Sequence, residues 1–233
     1  MGELERSLLK LGDPARAKSA ERYFKTGKGE YGYGDKFIGV RVPTIRTSIK
    51  GYTALGLDEI VSLLYSPIHE LRLAALLLLV GKYEKSDSSV QTEIFELYLK
   101  NSKYINNWDL VDCSAPNIIG NFLLSGGSSL LDQLAKSNSL WERRIAIVAT
   151  LAFIRSRQFE PTLKLAIILE NDNQDLIQKA VGWMLREVGK QSEPTLRTYL
   201  DYHAKVMPRV SLRYAIERLD KEGRAYYFSL SKS

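Results

Sequence analysis

The chain is poor in the residues that build covalent frameworks and metal centres. A single cysteine, Cys113, excludes a disulfide framework and any cysteine-rich metal site. Two histidines, His69 and His203, are too few for a histidine-cluster site. Long apolar runs are missing as well. The most apolar stretch, LRLAALLLLV from Leu71 to Val80, is about half as long as a membrane span needs. The N-terminal MGELERSLLK has no apolar core of the kind a signal peptide or anchor carries. These absences lead us to expect a cytoplasmic protein with no membrane association, metal or cofactor, whose chemistry runs on carboxylates, arginines and aromatic rings.

What remains is ordinary globular composition: 233 residues, 45% hydrophobic and 26% charged. That size suits one compact or repeat-built unit, and we read residues 1–233 as a single domain. The formal charge of +6 is modest, but it is unevenly spread. Residues 1–50 carry +5 and residues 182–233 carry +4, whereas residues 51–140 carry −4. A fold that curved so both ends flanked one groove would suit a polyanion there. Scattered solvating lysines would give the same totals.

Nearly every periodic segment reads as helix, and none alternates in the manner of a strand. Asp13 before Pro14 predicts an N-cap and first turn for a helix running to about Phe24. Pro43 starts another, and Ser66 with Pro67 starts the apolar helix over 68–80. Asp87 or Ser88 opens 89–99, and one helix is expected from Trp108 to Phe122. Gly126 and Gly127 break the chain. Ser139 caps 140–155, Pro161 opens 162–170 and Asn173 caps 174–189. Glu193 with Pro194, and then Pro208, open the last two. The segment TGKGEYGYGDKFIGVRVP, residues 26–43, has five glycines in 18 residues and suits a surface contact better than a core.

The helices repeat. The triplets Arg72 to Ala74, Asp112 to Ser114, Arg144 to Ala146, Ala180 to Gly182 and Arg213 to Ala215 each place a small residue at matching points. They are spaced by 40, 32, 36 and 33 residues. A helix pair recurring about every 35 residues is the mark of an all-α helical-repeat solenoid of HEAT-like type. We expect five or more antiparallel pairs in a right-handed curve, with the second helix of each pair on the concave face. Arg72, Asp112, Arg144 and Arg213 then share one register.

Three clusters could carry chemistry. In NNWDLVDCSAP, Trp108 and Asp112 are four apart and share a helical face, while Asp109 points elsewhere and reads as acting near the N-cap or on the helix dipole. Taken alone, Trp108 reads first as a core anchor and Asp112 as a solvated or cap-supporting acid. In WERRIA, Trp141, Arg144 and Val148 share a face and Arg143 does not. In KAVGWMLRE, Gly182 shares a face with Arg186, and Trp183 with Glu187. A mid-helix glycine costs about 1 kcal/mol against alanine, so something packs closely at Gly182 or the site tolerates the loss. Three tryptophans, three arginines and an acid on successive inner helices exceed what core packing requires. They suit a groove with an aromatic pair, an acid and phosphate-clamping arginines.

These motifs also carry a resemblance that spans nearly the whole chain. DPAR (Asp13 to Arg16), RYFKTG (Arg22 to Gly27), YGYGDKFIGVRVP (Tyr31 to Pro43), NWDLVDCSA (Asn107 to Ala115), WERRIA (Trp141 to Ala146) and KAVGWMLREVGK (Lys179 to Lys190) resemble the AlkD family of DNA alkylation repair glycosylases. That family is built from HEAT-like repeats. The resemblance implies hydrolysis of the N-glycosidic bond of N3- or N7-alkylated purines in duplex DNA, by a monofunctional, monomeric enzyme. It implies Trp108, Trp183 and Asp112 around the lesion's sugar, with Arg144 holding the backbone. DNA contacts are expected from Arg144, Arg143, Arg72, Arg186 and Arg213, and from Lys28 and Lys36 of the glycine-rich segment. The rival readings are a non-catalytic DNA-binding scaffold and a protein-binding adaptor.

Overall fold

The structure is a computed structural model and describes residues 2–230. It holds fifteen α-helices in the described chain: α1 (Glu3–Lys10), α2 (Pro14–Tyr23), α3 (Val42–Ser48), α4 (Leu57–Leu64), α5 (His69–Tyr83), α6 (Ser88–Lys100), α7 (Trp108–Ser114), α8 (Asn121–Leu123), α9 (Ser129–Ala135), α10 (Leu140–Arg155), α11 (Glu160–Ile168), α12 (Asp175–Gln191), α13 (Glu193–His203), α14 (Arg209–Ala215) and α15 (Lys221–Leu230). No strand occurs among the described residues. The only extended pairing there is a single parallel bridge between Lys36 and Ile68.

The local signals that start these helices act as their chemistry dictates. The Asp13 carboxylate accepts from the Arg16 amide at 3.0 Å, one turn in, with Pro14 supplying a first position that needs no donor. Asp87 accepts from the amides of Ser89 and Val90, and Ser139 from that of Glu142. Because Asp87 is exposed and satisfies two orphan amides, Asp87→Ala should cost about 1 kcal/mol, read as a lower urea midpoint with unchanged slope.

Three sequence expectations are corrected. The helix opening at Trp108 stops at Ser114 instead of running to Phe122. Pro116 has no N–H to continue the ladder, and Pro116–Gly120 winds as a π-helix in which the Gly120 amide reaches back five residues to the Ala115 carbonyl. The N-cap of α12 is Gln174 rather than Asn173. A further helix, α15, follows the one opened by Pro208. Its signal was present in the sequence: Asp220 accepts from the Gly223 amide at 2.6 Å.

The chain divides into two compact units, Met1–Ser114 and Ala115–Ser233. In the first, α5 is the central element. It is apolar on nearly every face and buried from His69 through Leu79, packed by α3, α4, α6 and α7. In the second unit, α10 is buried in the same way, with α9 and α11 against it. There α10 packs on α12 and α12 on α14, so the second members of successive pairs stack directly. In the first unit α5 and α7 stand in the same relation. The five triplets read from the sequence therefore fall on α5, α7, α10, α12 and α14, and their small residues Ala74, Ser114, Ala146 and Ala215 are fully buried.

Candidate functional site

The glycine-rich segment builds one wall of the site. Its first half, with Lys28 and Tyr33, is exposed as expected. Its second half is only partly surface: Lys36 and Arg41 are exposed, but Asp35, Phe37 and Val40 are buried. The Lys36 carbonyl accepts from the His69 amide at 2.8 Å, and the Glu70 carboxylate accepts from the amides of Ile38 and Gly39. Gly39 turns the chain at φ +80° where it passes α2, a conformation and a closeness that leave no room for a side chain.

This placement carries Asp35 into the polar centre of the first unit. Its Oδ1 accepts from Arg72 at 2.7 Å, and its Oδ2 accepts from Asn107 at 3.2 Å and faces His69 Nδ1 at 3.2 Å. The other ring nitrogen, His69 Nε2, lies 2.8 Å from Asp109 Oδ2. Burial works against the charge on Asp35, yet the His69 hydrogen bond and the Arg72 charge hold its carboxyl below the ordinary value. Burial likewise opposes protonation of His69, and the hydrogen bonds its ring donates to Asp109 and Asp35 override it, raising the imidazole above its usual value.

Aromatic rings line the same place. Phe24 stacks on Phe37 at 5.0 Å and on Trp108 at 5.3 Å, and Phe37 stacks on His69 at 4.6 Å. Tyr23, exposed at the end of α2, makes a T-shaped contact with the Trp108 indole, ring centroids 5.9 Å apart. A cleft of about 170 Å³ opens here, lined by Arg16, Phe24, Phe37, Arg41, His69 and Asp109 among others. A larger cleft of about 670 Å³ elsewhere in the unit is lined by Glu3, Glu5, Asp58 and Glu59, charges that repel a polyanion.

Trp108 and Asp112 lie one turn apart on α7 and both are half-buried. The end of α7 is tied down by Ser114, whose hydroxyl donates to the Leu110 carbonyl and meets the phenol of Tyr98 at 2.9 Å.

The second unit holds the other site residues read from the sequence. Arg144 is only 5% exposed, and its Nη1 donates to the Leu176 carbonyl in the first turn of α12. Arg143 is bound to Asp172 at 2.6 Å and to the carbonyls of Ser137 and Asn138, which fixes the start of α10 against the loop before α12. On α12, the Trp183 indole donates to Glu187 at 3.1 Å, as their shared face predicts. Arg186 is ion-paired with Glu217. Arg213 is exposed, as are Lys28 and Lys36.

Arg72 departs from expectation. It is 4% exposed, with one nitrogen on Asp35 and another donating to the Ser66 carbonyl, so it presents no surface to a phosphate. Arg72 and Arg144 do share a register, but that register is interior: each guanidinium donates to a backbone carbonyl inside its own unit. Sequence reasoning missed Asp35, His69, Asn107 and Tyr23. For Asp35 and Asn107 the available signal was the density of polar residues in YGYGDK and NNWD; His69 and Tyr23 lie outside both segments. Among the described residues, no group of three or more His, Cys, Asp and Glu could hold a metal, and no helix is long and apolar enough to cross a membrane.

Helix pairs stacked through their second members, with an aromatic and a carboxylate one turn apart on α7, define an all-α helical-repeat protein with a polar-aromatic site. The chain belongs to the DNA alkylation repair enzyme family, whose model matches residues 4–219. Its structure is similar to that of a predicted DNA alkylation repair enzyme from Enterococcus faecalis, with a TM-score of 0.70 at 17% identity over 90% of this chain and 97% of that one. It is also similar to AlkD2 from Streptococcus mutans, with a TM-score of 0.55 at 16% identity over 88% of this chain and 97% of the other. At such identity the likeness is one of fold. No curated protein gives a significant match.

Proposed function

We propose that the protein is a monofunctional DNA glycosylase, hydrolysing the N-glycosidic bond of N3- or N7-alkylated purines in duplex DNA. It acts as a cytoplasmic monomer without metal or cofactor. The observation that carries this reading is the Trp108 and Asp112 pair on one face of α7, in a chain of the alkylation repair family.

Such a base already carries a formal positive charge, so it leaves as a neutral molecule and needs no general acid. The demand falls on the deoxyribose, which gains oxocarbenium character as the C1′–N bond lengthens. The Asp112 carboxylate opposes that positive charge, and the π face of Trp108 adds to it. Water adds at C1′ and loses its proton, leaving an abasic sugar. For Trp183 the family resemblance proposes a second aromatic face; for Arg144 it proposes a backbone-holding contact, which requires this interior side chain to leave the Leu176 carbonyl. Arg143, Arg186 and Arg213 are proposed to bind the duplex together with Lys28 and Lys36.

The test is incubation of purified protein with methylated duplex DNA and assay of free 3-methyladenine and 7-methylguanine. Release of neither base while the duplex still binds would leave a non-catalytic DNA-binding scaffold. Affinity should fall steeply with salt, because each phosphate contact releases condensed counterions. Replacing both exposed lysines, Lys28 and Lys36, with alanine should lower the slope of log affinity against log salt by about 2, on damaged and undamaged duplex alike. A flat salt titration would instead point to a protein ligand.

A further inference from the structure

The first turn of α7 is held from two directions by one buried polar group. Asn107, immediately before the helix, is fully buried. Its amide donates to Asp35, while its carbonyl oxygen accepts from the Trp108 amide at 2.9 Å. Asp109, immediately after Trp108, is held by His69. The Trp108 ring reaches the same histidine through the stack of Phe24 and Phe37. Backbone and side chain of Trp108 therefore both lean on the Asp35–His69–Asp109 row.

The chemistry of that row requires a proton. Both ring nitrogens of His69 face carboxylate oxygens, and an ionised carboxylate can only accept. A neutral imidazole has one N–H and would turn a lone pair on one of the two acids. A protonated ring donates to both. The charges agree: Asp35 and Asp109 are balanced by Arg72 and His69 only when His69 is cationic. The second oxygen of Asp109 is buried with no hydrogen-bond partner, so His69 is the hydrogen-bonded cation on that carboxylate. Arg16, Arg41 and Glu70 line the same cleft, with Glu70 already bound to the amides of Ile38 and Gly39.

We propose that protonated His69, bridging Asp35 and Asp109, is a positioning residue that fixes the first turn of α7 and so aims Trp108 and Asp112. This rests on the glycosylase reading for its catalytic consequence, but not for its structural one. Deprotonation turns one acid against an imidazole lone pair in a dry site, and Asp109 is the partner with room to move. The raised value of His69 places that loss above its ordinary 6.5: the bridge is intact below it and comes apart as pH rises through the folded-state value.

The test uses protein labelled with 5-fluorotryptophan, whose three tryptophans give three fluorine resonances, with that of Trp108 assigned by W108F. The Trp108 resonance should move with one inflection above pH 6.5, matching the His69 imidazole followed by nitrogen NMR. H69Q should abolish that inflection and D109N should move it down. A flat Trp108 resonance while His69 titrates would overturn the proposal, as would a His69 inflection at or below its ordinary value.

Single-turnover release of 7-methylguanine, at saturating enzyme, gives the second readout. H69Q and D109N should slow it by about 10–100-fold, as a small misplacement of reacting groups does. Duplex affinity should stay within about twofold, and the wild-type rate should fall through the Trp108 inflection. Unchanged rates, or rate and affinity lost together, would also overturn it. If H69Q does not fold, D109N carries both measurements. A wild type that releases no base refutes the glycosylase reading, and the fluorine titration still decides the bridge.

Discussion

Asp112→Asn should abolish most base release while leaving duplex binding intact or slightly tighter. Asparagine keeps the shape of aspartate and one acceptor oxygen but removes the charge. At the half-buried position Asp112 occupies, a carboxylate close to a developing oxocarbenium ion should be worth roughly 3–5 kcal/mol in the transition state, or about 10²–10⁴ in rate. In the ground state the same carboxylate repels DNA phosphates, so its loss does not weaken binding. The effect should be larger for 7-methylguanine than for 3-methyladenine, which leaves more readily and needs less help. Single-turnover kinetics on both lesions beside a binding titration measure this. Equal rates for variant and wild type would remove Asp112 from catalysis, and parallel loss of rate and affinity would make its role structural.

The second large effect is on stability. Gly182→Val should destabilise the protein by about 2–4 kcal/mol, through overpacking where α12 crosses α14. A Cβ at position 182 would fall against the Ser211 carbonyl oxygen and the Tyr214 Cβ, neither of which is the far end of a flexible side chain. The crossing is also pinned: the Ser211 hydroxyl donates to the Gln178 carbonyl at 2.9 Å, one turn before Gly182. The two helices thus have little freedom to separate. Gly182→Ala should cost less, because the gain in helix propensity, about 1 kcal/mol, offsets part of the clash. Urea denaturation of both variants gives the comparison. A valine variant as stable as wild type would mean that α12 and α14 separate without cost.

Gly182 also shows how far the sequence could be read. Its cost in mid-helix left two readings, a close approach or a tolerated loss, and the structure decides for the close approach, with the Ser211 carbonyl and Tyr214 of α14 standing where a Cβ would fall. The same reasoning placed Trp183 with Glu187 and Trp108 with Asp112, because helical spacing alone puts residues four apart on one face. It erred where two residues of one type have different surroundings. Arg72 and Arg213 occupy equivalent positions in their repeats, yet Arg72 is enclosed by Asp35 and the Ser66 carbonyl while Arg213 is exposed. The periodicity that aligns them is silent on which loop covers either one.

The amino-acid sequence by itself determined the all-α class, the helix starts at Asp13 and Ser139 and, to within one residue, at Asp87 or Ser88, the repeat of about 35 residues and the register of the inner helices. Those properties depend on contacts within a turn or between neighbouring helices, and so are written locally. Only the tertiary structure decided that the glycine-rich segment turns inward at Asp35, that Arg72 and Arg144 are interior, and that His69 stands between two acids 34 and 40 residues away in the chain. A buried charge takes whichever partner the folded chain brings to it. That partner is set by how a loop without periodicity packs onto a helix, which no local pattern encodes.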